Sequence, residues 1–388
     1  MVITMAKKSI GERTFRLENP PAVLAHAAVV GKKEAEGPLG AYFDIKNDDS
    51  FFGEETWEKA ESAMQRLALE RALTKSHLTA SDVDLVFAGD LLNQCCGSVF
   101  GMREASIPFF GLYGACSTMA EALAVGSMAL DGSFANRVAC VTSSHFCSAE
   151  RQFRMPLEYG GQRPPTAQWT ATGAGCVVLE SACCADTERV RASKADLTLL
   201  GDCATERTSS PQVTHFTTAK IIDAGIKDAN NMGAAMAPAA YDTLSAHFRD
   251  TGREPSYYDL IVTGDLGRLG HDILLDMFAR GGTTLTNYND CGLMIYDLEA
   301  QDMHSGGSGC GCSAAVLCGN ILRRMGAQNL AAPLCDDAPQ DALPQENIIH
   351  STPLRRVLFA ATGAMMSTVS AQQGESIPSI CYAIAIEC

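Results

Sequence analysis

Cys116, in the run Gly114-Ala115-Cys116-Ser117-Thr118, is the residue whose type and setting best suit covalent chemistry. A short apolar segment, residues 107–113, precedes it. Behind it Met119, Leu123, Met128 and Leu130 alternate with alanine and glycine, the composition of a buried helix. A thiol in the first turn of such a helix faces unpaired N–H groups and the positive end of the helix dipole. Both favour a thiolate, or an anion bound beside it. The competing reading is a buried cysteine acting as a small hydrophobe, and the other cysteines illustrate it. The chain has 16, some adjacent (Cys95-Cys96, Cys183-Cys184), some one residue apart (Cys310, Cys312), with no C-x-x-C. That pattern gives neither a disulfide framework nor a zinc site, and points to free thiols in a reducing compartment.

The elements that must position Cys116 repeat. Asp84-Leu85-Val86-Phe87-Ala88-Gly89-Asp90-Leu91 returns as Asp259-Leu260-Ile261-Val262-Thr263-Gly264-Asp265-Leu266, each after a helical segment (residues 57–73 and 237–248). Ala115-Cys116-Ser117 is echoed by Gly311-Cys312-Ser313, and Arg137-Val138-Ala139-Cys140 by Arg356-Val357-Leu358-Phe359. Ordered matches with drifting offsets are the mark of a duplicated unit with loop insertions, and buried strands alternating with helices imply an α/β protein. Residues 27–31, 173–180, 196–200, 291–296 and 377–386 read as further strands, and residues 158–168 and 332–345 as surface loops.

The chain is 46% hydrophobic and 19% charged, with a formal net charge of −15. It lacks the basic cluster that nucleic acid or an anionic lipid surface demands. The first ten residues contain no apolar core of a signal peptide, and no apolar run approaches the ~20 residues that span a bilayer. A soluble chain is expected.

A cysteine heading the third helix of a duplicated βαβαβαββ unit resembles the thiolase and ketoacyl-synthase superfamily. Thr172-Gly173-Ala174-Gly175-Cys176-Val177-Val178-Leu179 is similar to the D-G-A-G-A-V-V-L strand of condensing enzymes, with Thr172 in place of the usual Asp. Longer strings make the chain similar to a sporulation family within that superfamily. They include Ala88-Gly89-Asp90-Leu91-Leu92-Asn93-Gln94, Thr142-Ser143-Ser144-His145, Ala149-Glu150-Arg151-Gln152-Phe153-Arg154 and Asn289-Asp290-Cys291-Gly292-Leu293-Met294. The resemblance implies a thiolase-like fold: two duplicated halves, 1–195 with Cys116 and 196–388, forming a five-layered αβαβα sandwich. It also implies a homodimer in the spore's dipicolinate-transport machinery. Such a protein binds pyridine-2,6-dicarboxylate, often as its calcium chelate, with no cofactor. It works beside other stage V sporulation A proteins at the cytoplasmic face of the spore inner membrane.

A working condensing enzyme of this superfamily needs His/His or His/Asn from the second half to stabilise enolate and oxyanion. The corresponding stretches read Thr263-Gly264-Asp265-Leu266-Gly267 and Gly309-Cys310-Gly311-Cys312, with neither His nor Asn. His304, in His304-Ser305-Gly306-Gly307, is read as a surface-loop histidine. Cys116 is therefore expected to be a relic nucleophile on the floor of a binding pocket, with residual acyltransferase chemistry as the alternative. A dianionic aromatic ligand calls for positive potential and a flat apolar slot. Cys116, His145, Arg151, Arg154, Asn93 and Asp265 are the candidate contacts. Arg163 and Trp169 are candidates for a covering loop, and Asp90 for a turn cap.

Overall fold

The computed structural model describes residues 6–154, 163–182, 210–326 and 352–388. Ten strands form one continuous path. Five come from the first half: β1 Ala22–Gly31, β2 Leu85–Gly89, β3 Phe109–Gly111, β4 Arg137–Ser144 and β5 Gly173–Glu180. Five come from the second: β6 Gln212–Thr217, β7 Leu260–Thr263, β8 Tyr288–Asp290, β9 Arg356–Ala364 and β10 Ser379–Glu387. The spatial order is β8-β7-β9-β10-β6-β1-β5-β4-β2-β3. Each half has the same plan, a parallel trio at its outer edge followed by two antiparallel strands. The halves meet where Ala22 of β1 pairs with Gln212 of β6.

Helices complete the layers. α1 (Trp57–Lys75) and α2 (Cys96–Met102) cover the outer face of the first sheet. α5 (Met232–Thr251) and α6 (Gly267–Arg280) cover that of the second. α3 (Thr118–Asp131) and α7 (Cys310–Val316, running on through a π turn to Met325) lie between the sheets. α4 (Phe146–Arg154) follows β4. Buried apolar clusters fill each of the three interfaces, the largest at the centre. The central layer is tight because glycines admit α7: a Cβ on Gly175 of β5 would come within 2.7 Å of the Ala314 carbonyl oxygen.

The repeat read from the sequence thus appears as equivalent strands, β2 with β7 and β4 with β9. One expectation needs correction. Residues 291–296 are not a strand: β8 ends at Asp290, whose side chain accepts the Gly292 N–H and caps a short helix over Cys291–Met294. The apolar segment before Cys116 is the open edge strand β3, with Phe109 and Phe110 exposed. The strand expected at 196–200, the loop at 332–345 and the boundary between 195 and 196 lie outside the described residues, as do residues 158–162 of the 158–168 loop.

Candidate functional site

Cys116 precedes α3 in a 3₁₀ turn, Ala115–Ser117, entered through Ala115 at φ 49°. The Ser117 and Thr118 hydroxyls fasten it by donating to the carbonyls of Gly114 and Ala115, each at 2.6 Å. The thiol, 5% exposed, faces a cavity walled by Leu91, Tyr113, Ala149, Glu150, Phe153, Thr170, Met232, Ser308 and Met366. The space between the lining atoms, mouth included, is about 440 Å³, but the centre of a water molecule can range over only about 40 Å³ of it. A flat ligand enters only if the methionines and Phe153 move aside. Thr170 and Ser308 reach the cavity from two short paired strands, Trp169–Thr170 and Gly307–Ser308, one from each half.

Asp265 stands beside the thiol and is wholly buried. Its carboxyl accepts the Gly309 N–H at 2.9 Å, the Ser308 hydroxyl at 3.1 Å and the Thr362 hydroxyl at 3.0 Å, and it adjoins the Cys116 thiol. Burial raises its pKa against those contacts. Burial first, and the charge of Asp265 second, push the Cys116 thiol well above its usual range. The thiolate expected from the helix terminus is therefore overturned. The Gly309 N–H and the Ser308 hydroxyl act the other way on the thiol, but both also donate to Asp265. Making the thiolate would place an anion against a carboxyl in a dry site.

The remaining candidates separate. Asn93 is exposed at the outer mouth, in a hollow shared by Tyr113, Phe153 and Met366. His145 is buried and turned away: its Nε2–H donates to the Ser50 carbonyl at 2.7 Å, while Nδ1 accepts the Cys147 N–H at 3.1 Å. That pattern fixes a neutral tautomer, and burial lowers its pKa. The expected ligand contact is corrected to a structural one. Arg151 is likewise corrected: it lies on the outer side of α4, ion-paired with Glu58 and 5.3 Å over the Trp57 ring. Arg154 ends α4, and its side chain lies outside the description. His304 binds the Pro164 carbonyl through Nδ1 at 2.9 Å and does not line the cavity. Trp169 stacks on Phe146 with ring centroids 3.8 Å apart, with Arg163 above it. Asp90 caps its turn by accepting the Leu92 N–H. Thr172, where condensing enzymes carry Asp, accepts the Phe146 N–H and starts α4. The sequence reading missed Glu150, Phe153, Met232 and Met366. The first two were within reach, because one face of α4 presents positions 149, 150 and 153 together. Among the described residues no group of three or more His, Cys, Asp or Glu could hold a metal.

Two five-stranded sheets enclosing two helices, with a cysteine before one of them, define a thiolase-like protein. Solved structures agree. 3-Oxoacyl-[acyl-carrier-protein] synthase III from Aquifex aeolicus VF5 matches with a TM-score of 0.50 at 10% identity, over 95% of this chain and 100% of the other. A point variant of OleA from Xanthomonas campestris gives 0.54 at 12%, over 96% and 99%. At such identities the likeness is one of fold. The family is set by sequence: the model of stage V sporulation protein AD (SpoVAD) matches residues 11–335 and 346–387. The stage V sporulation protein AD of Bacillus subtilis (strain 168) is 39% identical over 381 residues, 98% of each chain. The chain belongs to the SpoVAD family of sporulation proteins.

Proposed function

We propose that this chain is a non-catalytic component of the spore's dipicolinate-transport machinery that holds pyridine-2,6-dicarboxylate in the cavity beside Cys116. The observation that carries the reading is the Cys116–Asp265 pair. Where a condensing enzyme needs an activated thiol, this chain has one that burial and the adjoining Asp265 keep protonated. What remains is a narrow, largely apolar slot with a few polar groups, the form of a small-molecule site. Tyr113 and Phe153 offer aromatic surface to a flat ring, and Met232 and Met366 can repack around it. Among the described lining residues Glu150 is the acidic one and none is Lys, Arg or His. The neutral one-to-one calcium chelate therefore suits these walls better than the bare dianion.

The surface supports a proposal for the assembly as well. The open edge β3, with Phe109 and Phe110, and the neighbouring Val99 and Phe100 of α2 form an exposed apolar strip. A second copy pairing along β3 would cover it. No helix among the described residues is long and apolar enough to cross a membrane. Attachment to the spore inner membrane then runs through other stage V sporulation A proteins. Calorimetric titration of the purified chain with dipicolinate, with and without calcium, tests the ligand. Saturable heat, stronger with calcium, is expected, and its absence from a folded chain in both titrations removes the assignment. A stable acyl adduct on Cys116 after incubation with acyl-coenzyme A, missing in Cys116→Ser, would instead favour acyl transfer.

A further inference from the structure

Directly behind the cavity wall two carboxyl groups are buried together, with no cation beside them among the described residues. Glu61 on α1 and Asp90 after β2 are both 0% exposed. Both side chains pack against Gly97, the second residue of α2: a Cβ there would lie 3.2 Å from the carboxyl carbon of Asp90 and 3.4 Å from the Cγ methylene of Glu61. A continuous hydrogen-bond path joins them. Ser143 Oγ donates to Glu61 at 3.0 Å, and Gln65 Nε2 donates to both Ser143 Oγ and Ser98 Oγ at 2.9 Å. Ser98 Oγ in turn donates to Asp90 at 2.6 Å. The other Glu61 oxygen accepts from Ser148 Oγ at 2.7 Å, which ties the pair to α4. Gln65 Oε1 is buried and has no donor.

Two ionised carboxylates in such a place are untenable, since each unpaired buried charge costs several kcal/mol and each disfavours the other. The ionisable groups around Glu61 do not relieve it. Glu58 on its own helix and Asp90 are acids, and Cys96 of α2 and Cys310 of α7 are thiols. Arg151 is engaged by Glu58, and His145 by Ser50 and Cys147. Burial first and Asp90 second push Glu61 up to about 8, and burial raises Asp90 as well.

We infer that Glu61 and Asp90 hold a single proton between them, and that this protonated pair is a positioning element for the binding cavity, clamping α4 and the Asp90 turn in place. Those two segments carry Leu91, Ala149, Glu150 and Phe153, four of the wall residues. The clamp belongs to the wall, whatever ligand the cavity takes. When α4 lifts, Glu61 meets water and ionises at its ordinary value of 4.5; while α4 is seated the proton stays until about 8. The opening equilibrium of α4 therefore rises about tenfold per pH unit between those values and then levels off.

Two measurements on the full chain read this without ligand. Difference infrared spectroscopy at neutral pH should lose a protonated-carboxyl C=O band in Glu61→Gln, a variant that keeps the shape and one acceptor oxygen while its NH2 takes the place of the protonated oxygen. Hydrogen exchange across Phe146–Arg154, corrected for intrinsic chemistry, should show the tenfold-per-unit slope in the native chain and a flat profile in Glu61→Gln. Asp90→Asn is the second variant: with the repelling charge gone, the level region should begin at lower pH. An unchanged carboxyl band, or a slope that persists in a folded Glu61→Gln chain, overturns the inference. A merely structural Glu61 would alter exchange equally at every pH.

Discussion

At the scale of single residues, the thiol and the acid beside it decide what the site can do. Cys116 lines a cavity and so is within reach of a small reagent, yet Asp265 and burial keep it protonated. Alkylation by iodoacetamide at mildly alkaline pH should therefore be slow at Cys116 compared with the exposed Cys388. Asp265→Asn retains the shape and removes the charge that opposes thiolate formation. It should accelerate labelling of Cys116 by about tenfold for each unit by which the thiol pKa falls. Peptide-resolved mass spectrometry gives both rates. Cys116 labelling as fast as Cys388 in the native chain would mean that the thiol is activated after all, and the acyltransferase reading would regain ground. Asp265→Ala is the wrong variant, because it would strand the Gly309 N–H and the Ser308 and Thr362 hydroxyls.

At the scale of elements, the same reasoning separates what the sequence discloses from what only packing decides. β5, Gly173–Glu180, is buried at every position and reads directly from its glycine entry and apolar run. α1 and α5 likewise follow from pattern. The run 291–296 misleads because a short apolar stretch fits a strand or a buried helix equally, and the Asp290 cap that settles it makes its bond only once folded. The site shows the same limit. Position after β4 correctly assigns residues 145–154 to the cavity end of the sheet, but not which way each side chain turns. Successive residues on α4 are rotated by about 100°, so Glu150 faces the cavity while Arg151 faces Trp57. Asp265, expected as a ligand contact, follows β7 in the repeated Gly-Asp and stands beside Cys116, but it is absent from the cavity wall. The edge β3 supplies the prediction at this scale. Phe110 is 53% exposed, and its ring stacks on the buried Phe87 with centroids 5.3 Å apart. Phe110→Lys should leave the fold intact while weakening dimerisation at least about tenfold, given the roughly 2 kcal/mol that a buried aromatic contributes. Sedimentation velocity over a concentration series reads it. A native chain that stays monomeric throughout would remove the dimer proposal.

At the scale of the whole molecule, buried ionisable groups are numerous enough to shape stability as a function of pH, and their signs can be worked through. His26 and His215, held at about 4, and His247, held at about 3, stay neutral in the fold, each with desolvation as the leading cause. Below pH 6.5 the unfolded chain takes up protons that the folded chain refuses, so these groups cost stability as the medium becomes acidic. The carboxyls act the other way. Burial raises Asp290 to about 6, Glu121 to about 7 and Glu61 to about 8. From about pH 4.5 upward the unfolded chain has ionised these acids while the folded chain still holds the protons. Their contribution is full below that value and is lost as pH rises through each folded value. The two trends oppose each other up to 6.5, where the histidine term ends, and the acids act alone above it. Stability should therefore peak in mildly acidic solution and fall between pH 7 and 8, with Glu61 contributing about 1.4 kcal/mol per unit. For a chain of this size that is on the order of 1–2 °C in melting temperature per pH unit. The net charge of −15 adds self-repulsion in the same direction, so the scan belongs in about 0.15 M salt, where exposed charges are largely screened. Glu61→Gln isolates the buried term, because it removes one titration and changes the surface charge little. A native melting temperature that is level or rising from pH 7 to 8, or a fall that the variant reproduces in full, would show that Glu61 is not protonated in the folded chain.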